Sequence, residues 1–147
     1  MFIYTLTNFE SRATIDADFL LRGFSNSIDD VKDLISKIIN TPTGNDYIHM
    51  TAQGFEEISP QRKYQGISAQ IIGQIKNVRV PFNVDMGVGD IIVPKAEERT
   101  INTQLPDFEA PVIMTYSLES TIAEKFDAIL QRFELTGRMK DFYDIYY

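Results

Sequence analysis

Apolar and polar residues alternate most cleanly over residues 12–19. Arg12, Thr14, Asp16 and Asp18 share one face of an extended chain, and Ala13, Ile15, Ala17 and Phe19 share the other. The spacing predicts a strand ending near Leu21, with a core face opposite two neighbouring carboxylates. The loop Arg22-Gly-Phe-Ser-Asn-Ser follows, and its Ser27 is a good helix N-cap. Asp29 and Asp30 complement the positive first turn, and Ile28, Val31, Leu34, Ile35, Ile38 and Ile39 recur at three and four, so a helix is expected through Asn40. Residues 2–7 fit either a strand or the tail of a helix.

Thr41-Pro-Thr-Gly-Asn ends that helix, and residues 46–50 read as a strand. Residues 51–62 are polar and include Pro60, which predicts a loop with a short helical turn at 55–58. Residues 64–75 predict a long strand broken at Gly66 and Gly73. Lys76-Asn77 reads as a hairpin turn leading into a strand over 78–86. Val78, Val80, Phe82, Val84 and Met86 lie on one face of it, and Arg79, Pro81, Asn83 and Asp85 on the other; Pro81 implies an edge or a bulge. After the turn Gly87-Val-Gly-Asp90, residues 91–93 fit a short strand. Residues 95–111 are charged and proline-rich and read as surface loop with strand-like ends, the last of them at 112–115. Ser117 caps a helix through about residue 134, Thr136-Gly137 breaks it, and 139–147 is helical. These elements predict an α+β fold in one domain, with the sheet core at about 1–115 and the helices at about 117–147.

Composition narrows the chemistry. The chain has 147 residues and no cysteine, which excludes disulfides, thiol nucleophiles and thiolate metal sites. The single histidine, His49, lies in an alternating strand, so neither a histidine-based metal site nor a Ser-His-Asp triad is supported. A net charge of −7 disfavours a broad nucleic-acid surface but allows a local basic patch. No basic-then-apolar leader and no apolar run near ~20 residues is present, so a cytoplasmic protein is expected.

The carboxylates are the first candidate chemistry. Two like charges at ~4 Å repel by about 1 kcal/mol in water and about 4 at an effective dielectric near 20. Full solvent, a shared proton or a hard dication with oxygen ligands relieves Asp16 and Asp18. Asp85, on the polar side of its strand, is either a third carboxylate for one or two Mg²⁺ ions or a strand-end turn residue. The helix 117–134 has an apolar stripe of Leu118, Ile122, Phe126, Ile129, Leu130 and Phe133, with Lys125 at its edge and Arg132 nearby. Either the lysine stem lies on apolar surface with its amine in water, or the amine enters an acidic pocket. Asp141 is either a first-turn residue that answers the helix dipole or a partner that orients Lys125.

The segment Ser11-Arg-Ala-Thr-Ile-Asp-Ala-Asp-Phe19 resembles the Arg-x-Thr-x-Asp-x-Asp motif of the AbiEii toxin family of nucleotidyltransferases, in the polymerase-β-like superfamily. Asn83-Val-Asp-Met-Gly-Val-Gly-Asp90 is similar to that family's third-carboxylate strand and turn. Tyr116-Ser-Leu-Glu-Ser-Thr-Ile-Ala-Glu-Lys-Phe-Asp-Ala-Ile-Leu-Gln-Arg132 resembles its Glu…Ala-Glu-Lys…Arg helix, and Arg138-Met-Lys-Asp-Phe-Tyr-Asp144 its Arg-x-Lys-Asp-x-x-Asp motif. The resemblance implies a nucleotidyltransferase-like mixed sheet flanked by helices, with a C-terminal helical hairpin. It implies Mg²⁺ on Asp16, Asp18 and Asp85, and nucleotide binding and catalysis involving Lys125 and Asp141. The reaction implied is NMP transfer from an NTP to a hydroxyl acceptor such as tRNA, in a toxin–antitoxin or phage-defence pair with a cognate antitoxin. The family carries a glycine turn for phosphate upstream of Asp-x-Asp, whereas only fifteen residues, none of them glycine, precede Asp16 here. A chain beginning after that turn is therefore expected, with Ser11, Arg12 and Thr14 as the remaining candidates for phosphate. The same departure keeps open a non-catalytic remnant that binds a protein partner.

Overall fold

The computed structural model describes residues 2–25, 27–44, 47–58, 66–89, 92–105, 107–132, 137 and 139–146, with backbone alone for Phe2 and Arg132. Several expectations lie outside the described residues: the strand starts at Asp46 and Tyr64, Pro60, Asp90, Ile91, Phe133, Thr136, Arg138 and Tyr147, and the Arg132 side chain. The fold is mixed α+β. Among the described residues it has a four-stranded mixed sheet, a two-stranded sheet and four helices. The chain divides into two compact units, Thr14–Asp90 and the pair of segments Met1–Ala13 and Ile91–Tyr147.

The unit Thr14–Asp90 holds β1 (Ala17–Leu21), α2 (Ile28–Ile39), β2 (His49–Ile58), β3 (Gly66–Ile75) and β4 (Val78–Val88). The sheet order is β1-β4-β3-β2; β1 runs parallel to β4, and the other pairs are antiparallel. Its core joins Val31 and Ile35 of α2 to Ile67, Ala69 and Ile71 of β3 and Val84 and Met86 of β4. Val31 and Ile67 are essentially fully buried, which stabilises by about 1.5–3 kcal/mol per side chain. The expected cap holds: Ser27 Oγ accepts from the Asp30 N–H at 3.1 Å and donates to Asp30 Oδ2 at 2.9 Å. The expected hairpin holds too, with Ile75 opposite Val78 and Lys76 at φ 51°. Pro81 lies in the half of β4 that β1 does not reach. Counting from the two-residue turn, it occupies a non-hydrogen-bonded position toward β3, so its missing N–H faces an open edge.

Three expectations for this unit are corrected. The first strand spans only Ala17–Leu21, with a bend at Ile15, and its expected core face is largely exposed: Ile15 keeps 71% of its surface and Phe19 53%. The reason is position. The core centres on β3 and β4, and β1 is an edge strand paired over five residues, so only Leu21 reaches the core cluster. Residues 51–58 are strand, not loop, because β3 offers them a long antiparallel edge. The register slips at Gln53, between Ala52 and Gly54. That bulge brings Ala52 and Phe55, three apart, onto the same core-facing side and erases the alternation a strand would show. Finally, β3 runs through Gly73 without interruption.

The other unit holds α1 (Phe2–Leu6), β5 (Glu97–Thr100), β6 (Val112–Thr115), α3 (Leu118–Arg132) and α4 (Met139–Tyr146). Of residues 2–7, Phe2–Leu6 are thus helix and Thr7 lies in the turn that follows. Asn8 and Phe9 then take left-handed φ values of 50° and 67°, where the Phe9 ring packs edge-on against Tyr4 at 5.2 Å. β5 and β6 pair antiparallel, so the stretch 95–111, expected as surface loop with strand-like ends, has a strand at Glu97–Thr100, while Ile92 and Val93 are not strand. Ser117 caps α3 by accepting from the Ser120 N–H at 3.1 Å. The predicted apolar stripe of α3 is not its buried face. Leu118, Ile122, Phe126 and Leu130 are 43–54% exposed, and among the described residues of the stripe only Ile129 is buried. The side carrying Lys125 packs toward α4 instead, because the lysine is ion-paired with two buried aspartates there.

Candidate functional site

The carboxylates of the first unit are placed by strand register. Asp18 on β1 stands directly opposite Asp85 on β4, and Asp85 opposite Ser68 on β3, which in turn faces Glu56 on β2. Directly opposed residues share a face, so Asp18, Asp85, Ser68 and Glu56 form one row across the sheet, on the side away from the core cluster. Ser68 Oγ donates to Asp85 Oδ1 at 2.5 Å, which fixes that carboxylate. Asp16 lies one residue ahead of β1 and is exposed; the Thr14 hydroxyl donates to its backbone carbonyl at 3.3 Å. The structure therefore brings Asp18 and Asp85 together as cross-strand neighbours. Among the described residues no three acidic or histidine side chains converge as a metal cluster. The donors in the row are all oxygen, the chemistry that suits a hard dication retaining several waters, not zinc or copper. An open depression of about 320 Å³ in the same unit is lined by Gly23, Phe24, Ser25, Asp30, Asp33, Leu34 and Lys37. It contains none of these carboxylates, and shape alone does not make it the site.

In the other unit a buried ion network joins Arg12, Lys125, Asp141 and Asp144. Arg12 donates through Nε to Asp144 Oδ1 at 2.9 Å and through Nη2 to Oδ2 at 2.6 Å. Lys125 Nζ donates to the same Oδ2 at 2.6 Å and to Asp141 Oδ1 at 3.4 Å. Both aspartates are buried, Asp141 almost completely. Burial alone would raise the Asp144 carboxyl, but hydrogen bonds from Arg12 and Lys125 and their positive charges hold it below its ordinary value. The expected pairing of Lys125 with Asp141 is present, as a long contact. Arg12, a phosphate candidate in the sequence, has its guanidinium fork on Asp144. Ser11, another, is buried; its N–H donates to Thr7 Oγ1 at 3.1 Å.

Two residues of these clusters have no role assigned from sequence: Asp144, there only the last position of a family motif, and Ser68. Asp144 lies three residues after Asp141 on α4, and that spacing shares a helix face, so the signal was available. Ser68 gave none, because its partner is set by a register between strands.

Among the described residues no helix is long and apolar enough to cross a membrane. No match is found among curated proteins or among solved structures. A family model described as "Nucleotidyl transferase AbiEii toxin, Type IV TA system" matches residues 2–147, which is nearly the whole chain, and its toxin–antitoxin setting implies a cognate antitoxin. Its span takes in both the carboxylate row and the ion network, and the chain belongs to the AbiEii nucleotidyl transferase toxin family.

Proposed function

We propose that this chain transfers a nucleoside monophosphate from an NTP to a hydroxyl acceptor, with tRNA as the acceptor class, and does so with Mg²⁺. The observation that carries the reading is the pairing of Asp18 with Asp85 across β1 and β4 in a chain of this family. Asp18 and Asp85 would hold the ion, with Asp16 as the further carboxylate expected from the sequence. Mg²⁺ demands oxygen ligands and keeps waters, so two protein carboxylates plus phosphate oxygens make an adequate shell. Bound there, it would screen the triphosphate and lower the pKa of the attacking hydroxyl. Ser68 keeps one Asp85 oxygen occupied and so restricts the direction of the other. In its own unit, Lys125 is the candidate cation for phosphate oxygens, and Asp141 accepts from its amine.

Purified protein incubated with each labelled NTP, Mg²⁺ and total tRNA tests the reading. Label should pass to tRNA with one NTP preferred, and EDTA or the Asp18→Asn/Asp85→Asn double variant should abolish transfer. Equal transfer by that variant would remove the carboxylates from the mechanism. No transfer, together with no calorimetric binding of Mg-NTP, would leave a non-catalytic protein-binding module.

A further inference from the structure

We propose that Asp144 is a positioning residue: locked by the Arg12 guanidinium, its carboxylate fixes the Lys125 amine in the orientation in which Lys125 meets a nucleotide phosphate. The proposal rests on the nucleotidyltransferase reading and deepens it. A lysine amine is a point charge on four flexible carbons and does not orient itself. Of its two acidic neighbours, Asp144 is the close one, at 2.6 Å against 3.4 Å for Asp141. Asp144 in turn has little freedom. Arg12 grips both of its oxygens through a planar fork, at 2.9 and 2.6 Å, and its side chain is only 5% exposed. Orientation thus passes from Arg12 to Asp144 to Lys125. An ammonium has three donors. Two aspartates take two of them, which leaves capacity for one further acceptor, and the Lys125 side chain keeps 20% of its exposure. The two aspartates also balance Arg12 and Lys125 in charge. A purely structural ion pair would need only Arg12 and Asp144; the third member makes the cluster a support for the amine.

Two readouts on the full chain test this. The first is the rate of Lys125 acetylation by acetic anhydride, followed by mass spectrometry. The second is NTP dependence of transfer to tRNA, at a temperature where each variant is folded. Asp144→Asn keeps the side-chain shape and removes the charge. It should speed Lys125 labelling several-fold and lower kcat/KM for the NTP roughly 10–100-fold, as for partners that orient a functional group. In a Lys125→Met background it should cost less than about twofold more, because residues acting as a unit are not additive. Ile129→Val, an equally local change in α3 without charge, should leave the labelling rate unchanged. Arg12→Lys keeps the charge and loses the fork; it should give an intermediate labelling rate, and it serves if Asp144→Asn does not fold. Wild-type labelling and wild-type kcat/KM in the Asp144 variant, or an additive loss in the Lys125→Met background, would overturn the proposal while leaving the transferase reading intact. Faster labelling with no transfer by wild type would overturn the transferase reading, and with it any nucleotide-directed role for Asp144.

Discussion

At the scale of single residues, Asp144 is the most consequential side chain in the molecule. One carboxylate bonds two cations inside the protein, and removing it takes the close partner from both, leaving Lys125 its longer contact to Asp141. Breaking a buried ion pair typically costs ~3–5 kcal/mol; the lower end applies here because Arg12 stays 35% exposed. The pH dependence follows from the direction of the shift. A carboxyl held below its ordinary value of 3.8 adds stability that is fully present above that value and is lost as pH falls through the lowered folded value. Denaturant unfolding followed from neutral pH down to ~pH 2 should show that loss below about pH 4 in wild type, and a flatter, lower curve for Asp144→Asn. Asp30 is also held low, by hydrogen bonds from Ser25 and then Ser27, but it is fully solvated and should leave the acid limb almost unchanged. The two helix caps differ in the same way. Ser117 is 1% exposed and bonds both the N–H and the hydroxyl of Ser120, whereas Ser27 is exposed. Ser117→Ala should therefore destabilise by more than Ser27→Ala, near the upper part of the ~0.5–2 kcal/mol range for lost caps. Thermal unfolding of the two variants side by side decides it.

At the scale of elements, strand register does the work that side-chain type alone does not. Asp85 lies on a strand with apolar residues on its other face, between β1 and β3. That location gives it Asp18 on one side and Ser68 on the other. Ser68→Ala removes the 2.5 Å hydrogen bond without changing the strand pairing. It should weaken Mg²⁺ binding about tenfold, the low end for loss of a ligand's supporting partner, with the circular dichroism spectrum unchanged. Calorimetric titration with Mg²⁺ measures this directly, and an unchanged affinity would remove Ser68 from the site. Helix α3 makes the complementary point. Its strongest periodic feature, the stripe from Leu118 to Leu130, is half exposed, and its rotation follows Lys125 and the two aspartates of α4. A desolvated charge left unpaired costs more than several apolar side chains left partly wet, so the ion network wins the helix face.

At the scale of the whole molecule, charge constrains how the proposed acceptor RNA would be held. With 14 basic against 21 acidic side chains, the net charge is −7. A polyanion would then gain little from counterion release, and few phosphates would be contacted. Affinity for tRNA, measured by fluorescence anisotropy between ~50 and 200 mM salt, should be weak, with a log–log slope shallower than about −3. A slope like that of a protein making ~6–10 phosphate contacts would show an extended basic surface that the composition does not suggest. The division of the chain at this scale also departs from the order of elements. The two-stranded sheet groups with the C-terminal helices, and the N-terminal residues group with them too.

Much of this was legible in short windows of sequence. The faces of β4, the buried stripe of α2, both serine caps, the hairpin at Lys76-Asn77 and the family motifs depend on residues a few positions apart, and their periodicity or spacing states the outcome directly. Asp18, Asp85, Lys125 and Asp141 were named from those windows, and Asp144 could have been, from the i, i+3 spacing on α4. What the sequence did not contain was the outcome of competition between distant segments. Only the tertiary structure decided that β1 is a five-residue edge, that a bulge at Gln53 extends β2 to Ile58, and that α3 turns its lysine inward. Likewise it alone decided that Ser68 stands against Asp85 and Arg12 against Asp144. Each depends on which strand supplies the free edge, or which buried charge must find a partner, and those conditions exist only once segments more than a hundred residues apart, such as Arg12 and Asp144, have met.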